Sequence, residues 1–240
     1  KLQHTLQFCD LGYYMSRDLA EFSETGSMAW RMAMCAGWHL TEINLHLQEH
    51  WPCLGVGAGE RVLVPLCGKT LDLLWLAGEG HRVLGVELSP IAVEALFRDN
   101  GLTPQVMDEP PFRRYRLDEI EVLCGDFFDL DPAHLGEIGA VYDRASLIAL
   151  PPELRPRYVK HLETLIRPET LGLLITLAYD QAQMAGPPFA VREAEVGALF
   201  GARFDIQLLA DVDVLAESPN FRSRGVTSLR EQVYALHPRA

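Results

Sequence analysis

Gly68 and Glu87 stand nineteen positions apart, one in the turn after an apolar run ending Val64-Pro65-Leu66-Cys67, the other just after a second run, Arg82 to Val86. An acidic side chain at that offset from a glycine turn can accept hydrogen bonds from both hydroxyls of a ribose. Two phosphate-binding patterns compete for the same turn. Gly68-Lys69-Thr70 matches the end of the G-x-x-x-x-G-K-[ST] loop, but Leu63 stands where that loop needs its first glycine. The dinucleotide fingerprint G-x-G-x-x-G also fails, because Pro65, Leu66 and Cys67 leave Gly68 nearly alone. The reading that remains is a nucleoside held without a pyrophosphate. Its plain alternative is that Glu87 is an acidic residue favoured by a helix N-terminus.

The elements that must position these residues follow from periodicity. Strands are expected at Arg61 to Pro65, Arg82 to Val86, Ile120 to Cys124, Ala140 to Tyr142, Leu171 to Ala178, Phe204 to Asp211 and Leu229 to Leu236. Helices are expected at Leu40 to Trp51, Lys69 to Ala77, Pro90 to Asn100, Glu153 to Ile166 and Arg192 to Phe200. Ser89-Pro90 is a strong start for one of them, since the serine oxygen caps an orphan N–H and proline has none to satisfy. Strands alternating with helices at this spacing imply an α/β fold, an open and mostly parallel sheet with helices on both faces. Ligands in such sheets bind beyond the carboxyl ends of the strands, at Leu66 to Lys69, Glu87 to Ser89, Asp126 to Asp129, Asp143 to Leu147 and Tyr179 to Phe189.

Composition bounds the partners. A chain of 240 residues with 48% hydrophobic content can bury one substantial core. Residues 1–29 show weak periodicity and read as an N-terminal arm, residues 30–240 as one domain. A net charge of -12 with no basic run excludes nucleic acid and anionic membrane surfaces as partners and leaves small molecules. Five scattered cysteines without a C-x-x-C pair suit a reducing cytoplasm. No stretch reaches the roughly 18 apolar residues of a membrane span. The expectation is a cytoplasmic monomer. One competing motif is His46-Leu47-Gln48-Glu49-His50, which has the H-x-x-E-H spacing of inverted zinc peptidases. Histidine and glutamate are ordinary on an exposed helix, and Trp51-Pro52 ends this one at once, so no metal is expected.

Several stretches together resemble one family. They are Val64-Pro65-Leu66-Cys67-Gly68-Lys69 with Asp72 and Trp75, Gly80-His81-Arg82-Val83-Leu84-Gly85-Val86-Glu87-Leu88-Ser89, Tyr142-Asp143-Arg144-Ala145-Ser146-Leu147, Gly186-Pro187-Pro188-Phe189, and Gly37-Trp38-His39 leading into Glu42 and Asn44. In that order they resemble the thiopurine S-methyltransferases. The resemblance implies a Rossmann-like class I methyltransferase sheet whose last strand is antiparallel. It implies S-adenosyl-L-methionine as methyl donor, S-adenosyl-L-homocysteine as product, and a small aromatic or heterocyclic thiol as acceptor, thiopurines being the named substrates. Bacterial relatives are also associated with selenium and tellurium species. Carried over by motif, Leu66 packs on the cofactor beside Gly68, Glu87 takes the ribose, Phe127 flanks the adenine, and Arg144 lies at cofactor and acceptor. Trp30 belongs to a segment closing over the cofactor, and Trp38, Pro188 and Phe189 face the acceptor. Two departures fall on that segment: Gly26 stands where a second tryptophan is usual, and Trp38 replaces a phenylalanine. Both bear on the acceptor more than on the cofactor.

The chemistry so implied is an in-line displacement at a sulfonium methyl, which requires close, collinear reactants in a dry pocket and no metal. An aromatic thiol is already acidic, so a cation near its sulfur suffices; Arg144 is the candidate, with Asp143 fixing its direction. Trp30, Trp38 and Phe189 can exclude water and attract the sulfonium, at ~0.5–2 kcal/mol per ring. The plainer readings are an ion-pair role for Arg144, packing roles for Trp30, Trp38 and Phe127, and a stiff loop at Pro187-Pro188. At the level of function the alternatives are a small-thiol or halide methyltransferase of the same cofactor class, and a non-catalytic nucleoside-binding protein.

Overall fold

The computed structural model describes residues 42–239. The expected arm at 1–29 and the residues Trp30 and Trp38 lie outside them. Helix α1 (Leu45–His50), capped by the Asn44 side chain on the Leu47 N–H, leads through a short 3-10 turn (Trp51–Leu54) into strand β1 (Arg61–Val64). There follow α2 (Asp72–Gly78), β2 (Arg82–Glu87), α3 (Pro90–Asp99), β3 (Gln105–Glu109), β4 (Phe112–Leu117), β5 (Ile120–Cys124) and α4 (Pro132–Leu135). The second half contains β6 (Ala140–Arg144), α5 (Ser146–Ala149), α6 (Arg155–Leu165), β7 (Leu171–Tyr179), α7 (Glu193–Phe200), β8 (Phe204–Asp213), α8 (Pro219–Ser223) and β9 (Leu229–Pro238).

The strands form one sheet in the order β3-β4-β5-β2-β1-β6-β7-β9-β8. The five from β5 to β7 are mutually parallel. Strand β9 is antiparallel to both β7 and β8, so the last strand runs against the parallel block as expected. Apolar cores cover both faces. Tyr158, Val159 and Leu162 of α6 pack with Leu63, Leu84 and Leu174 on one, while Leu73 and Leu76 of α2 pack with Val62, Val83 and Leu173 on the other. Alternate residues of each parallel strand thus enter opposite cores, which is why these strands read as continuous apolar runs.

Two departures from the expected elements have physical causes. The β3–β4 hairpin was not expected. Every residue of β3 is exposed and β4 reads Phe-Arg-Arg-Tyr-Arg-Leu, so the pair carries no apolar alternation. Cross-strand ion pairs hold it instead: Arg113 with Asp108 at 2.8 Å, and Arg114 with both Glu109 and Glu121. Helix α2 starts at Asp72 rather than Lys69, because the chain spends Leu66 to Leu71 on a tight turn in which Leu66 (φ 48) and Gly68 (φ 57) are left-handed.

Asp72 shows how the N-terminal part is fastened. Its side chain is fully buried, and its two oxygens accept the Asn44 N–H at 2.8 Å and the Tyr142 hydroxyl at 2.9 Å. One carboxylate therefore ties the start of α1 to β6. Asp72→Ala leaves two buried donors without an acceptor and is expected to cost about 2–4 kcal/mol, read as a lowered denaturation midpoint. Tyr142→Phe removes one of the two bonds and should cost less than half as much. An unchanged midpoint in Asp72→Ala would show that the fastening contributes nothing.

Candidate active site

From β1 the chain winds outward to β2 on one side, and after β5 it crosses to β6 on the other side of β1, so the segments beyond these strands diverge and open a crevice. Three residues at its edge have left-handed backbone: Leu66, Gly68 and, after β6, Ala145 (φ 78). For leucine and alanine this conformation costs of order 1–3 kcal/mol and persists only where neighbours enforce it. The enforcement is visible. The Cys67 N–H donates to the Val86 carbonyl at 3.0 Å, and Ser146 Oγ donates to the Pro65 carbonyl at 3.1 Å. The ends of β1, β2 and β6 are thereby locked together.

Glu87 stands at the end of β2 and spans the crevice. One carboxylate oxygen accepts the Gly68 N–H and the other accepts the Ser89 N–H, both at 2.8 Å. Each oxygen retains a second acceptor direction. Burial raises its proton affinity above the ordinary carboxylate range, against the lowering effect of the backbone donors at Ser89 and Gly68. Burial, aided by the Glu87 charge, pushes the Cys67 thiol well up, so Cys67 is a protonated packing residue. It fills the space above Gly85, where an added Cβ would lie 2.8 Å from the Cys67 sulfur.

On the other flank of β6 lies a cavity of about 450 Å³, within the range of small-molecule sites. Arg144, Ala145 and Ile148 line it together with Ile175, Thr176 and Leu177, and α1 closes it through Leu45, His46 and Glu49. Neither Gly68 nor Glu87 lines it. Arg144 and Ala145 reach it from the end of β6, the strand paired with β1.

The other expected site residues are placed differently. Asp143 is buried on the α6 side, where it accepts the Tyr158 hydroxyl at 2.7 Å and the Ser146 N–H at 3.3 Å; burial raises its carboxyl. Successive strand residues face opposite sides of a sheet, so Asp143 does not fix the direction of Arg144. It holds the turn that carries Ser146. Phe127 also belongs to the core, 5% exposed, with ring centroids 5.0 Å from Tyr158 and 5.3 Å from His161. Its half-buried neighbour Phe128 carries the Arg157 guanidinium 4.2 Å above its ring. Phe189 is buried and donates its N–H to the Ile148 carbonyl at 2.7 Å, while Pro188 accepts from the Tyr179 hydroxyl. Neither lines the cavity. The loop is anchored by Arg155, 1% exposed, which donates to the carbonyls of Leu147, Leu150 and Ala190 and pairs with Glu195 at 2.7 Å. Sequence pattern does not single out Arg155, Tyr158 and Asp72, since each has a side-chain partner fifteen or more residues away.

An open sheet doubly wound around this crevice, with β9 inserted antiparallel, has the architecture of the class I S-adenosylmethionine-dependent methyltransferases. Solved structures agree on the fold. A TehB-like S-adenosylmethionine-dependent methyltransferase from Corynebacterium glutamicum superposes with a TM-score of 0.52 at 14% identity, covering 92% of this chain and 100% of that one. Phosphoethanolamine N-methyltransferase 2 of Haemonchus contortus, solved with S-adenosylhomocysteine, gives 0.58 at 11% identity over 79% of this chain and 52% of that one.

The family is narrower. Residues 27–239 match the model of thiopurine S-methyltransferase, and the chain belongs to that family. The thiopurine S-methyltransferase of Nitrosospira multiformis is 53% identical over 203 residues, 85% of this chain and 92% of its own. That of Pseudomonas fluorescens strain Pf0-1 is 52% identical over 200 residues, 83% and 92% respectively. The chain is thus an S-adenosylmethionine-dependent methyltransferase. Among the described residues no helix is long and apolar enough to cross a membrane.

Proposed function

We propose that the acceptor is the sulfur of a small aromatic or heterocyclic thiol, bound in the cavity beyond β6 while the cofactor occupies the crevice beyond β1 and β2. The observation that carries this reading is Arg144, a cation that lines the cavity from the end of β6, the strand paired with β1. The crevice fits the cofactor by its own chemistry. Glu87 keeps acceptor capacity for two ribose hydroxyls, and the left-handed turn at Leu66 and Gly68 bends the backbone out of the cofactor's way. When bound, S-adenosylmethionine supplies an electrophilic methyl group on a sulfonium.

The chain's residues do the remainder. Leu66 packs against the nucleoside, Arg144 holds the acceptor in its thiolate form, and the thiol proton passes to solvent. Asp143 positions the β6 turn through Ser146 and Tyr158. The apolar wall at Ile148, Ile175 and Leu177 excludes water. Four carboxylates, Glu49, Asp213, Glu217 and Glu231, also line the cavity. They repel acceptors that must enter as anions, whereas a thiol enters neutral and ionises only beside Arg144, which ranks neutral heterocyclic thiols above halide and selenite.

The test is transfer from labelled S-adenosylmethionine to thiopurine, thiophenol, halide and selenite. Thiopurine and thiophenol are expected to be methylated and the anions to lag by about tenfold or more, one factor of ten per ~1.4 kcal/mol of repulsion. Absence of turnover on both sulfur acceptors would overturn the reading; turnover on halide alone would favour the small-anion alternative.

A further inference from the structure

The H-x-x-E-H motif has a property that its sequence does not reveal. His46, Glu49 and His50 each bring one donor atom to within 4.8 Å of the others. The i, i+4 spacing stacks the two imidazoles, with centroids 5.9 Å apart and planes inclined by 14°. Two ring nitrogens, His46 Nδ1 and His50 Nε2, are shielded from solvent and have no hydrogen-bond partner. Buried polar atoms are almost always satisfied, and a pair of them left open in one cluster calls for a water or an ion between them.

Glu231 bears on one of the two rings. His46 Nε2 lies 3.3 Å from Glu231 Oε2, with the side chains 15% and 21% exposed. A carboxylate against one ring nitrogen favours the tautomer in which the other offers a lone pair. That relation is the usual support of a metal-bound histidine. The geometry points to a transition-metal site in which His46 Nδ1, His50 Nε2 and a Glu49 carboxylate oxygen bind a late first-row divalent ion of the zinc class, with Glu231 orienting His46. Two imidazole nitrogens favour zinc, copper or nickel over the oxygen-seeking calcium and magnesium. Three protein ligands leave coordination positions open. His46, Glu49 and Glu231 also line the cavity that holds Arg144, so the ion would sit in its wall. The assignment does not rest on the acceptor proposed above and implies no peptidase chemistry.

The test is titration of the full chain with Zn²⁺ against a chromophoric chelator, and with Co²⁺ followed by its visible absorption. One equivalent of either ion is expected, with a cobalt spectrum of four- or five-coordinate type. Glu49→Gln, at an exposed position that the fold does not need, should weaken binding by about tenfold or more, and Glu231→Gln by a similar factor through the lost orientation. His50→Ala should abolish it while leaving S-adenosylmethionine binding intact. Failure to bind one equivalent, or binding that survives both Glu49→Gln and His50→Ala as binding to cysteine thiols would, overturns the assignment.

Discussion

Glu87→Gln is expected to raise the dissociation constant for S-adenosylmethionine by about ten- to a hundredfold, a loss of ~1.4–2.7 kcal/mol. Glutamine has the same reach but exchanges one carboxylate oxygen for a donor. Both oxygens of Glu87 already accept a backbone N–H at 2.8 Å, from Gly68 and from Ser89, so either placement of the amide sets donor against donor across the crevice. The variant also loses the charge-assisted character of each ribose bond. A pH signature separates this role from a merely structural one. Burial raises the Glu87 carboxyl above the ordinary carboxylate range, so it takes up a proton at less acidic pH than a surface glutamate. The protonated form offers fewer acceptors. Wild-type affinity should therefore fall as pH is lowered through the window between the raised value and the ordinary one, while Glu87→Gln stays flat there.

Stability moves the opposite way in that window. A carboxyl whose folded-state value is raised makes the folded state bind the proton more readily than the unfolded state. Its cost to stability is fully present above the raised value and is relieved on acidification. Loss of cofactor binding in mild acid is then not unfolding driven by Glu87. Calorimetry over a pH series from about 4, near the ordinary glutamate value, to about 8 is the measurement. Unchanged binding in the variant would remove Glu87 from the ribose site.

How much of this was legible in the sequence depends on where each residue finds its partner. Strand β5 lies where apolar patterning placed it, Ile120 to Cys124, and β1 and β2 differ by one residue at their ends. These strands are buried on both faces, and that environment writes itself into consecutive residues. The β3–β4 hairpin is held by arginine–carboxylate pairs across strands, which leave no local period to read. The side-chain sets at the site divide in the same way. Glu87 and Gly68 meet as their offset implies, because one strand-turn-helix-strand unit fixes it. Asp143 was assigned to Arg144 because they are adjacent in sequence, although adjacency in a strand sends two side chains to opposite faces. Phe127 and Phe128 are a comparable pair: the geometry of the turn after Asp126, and no feature of composition, buries the first and leaves the second half exposed.

Arg144→Ala is expected to lower thiol turnover by about a hundredfold or more, ~2.7 kcal/mol of transition-state stabilisation, the scale seen when one preorganised donor is removed from a developing charge. Cofactor affinity should change by less than about threefold, under ~0.7 kcal/mol. The separation follows from how the end of β6 is held. The left-handed turn after β6 is held by Ser146 Oγ on the Pro65 carbonyl and by Asp143 on the Ser146 N–H, none of which uses the arginine side chain. Truncating Arg144 therefore leaves the crevice geometry in place and removes the cation from the cavity wall. Arg144→Lys keeps the charge without the guanidinium fork and should recover part of the rate, about tenfold short of wild type. If Arg144 acts by favouring the thiolate, its loss is compensated by alkali: the rate of Arg144→Ala should climb with pH up to the acceptor thiol's own ionisation, where wild type has already levelled. Equal losses in turnover and cofactor affinity, with no rescue at high pH, would assign Arg144 to cofactor binding instead.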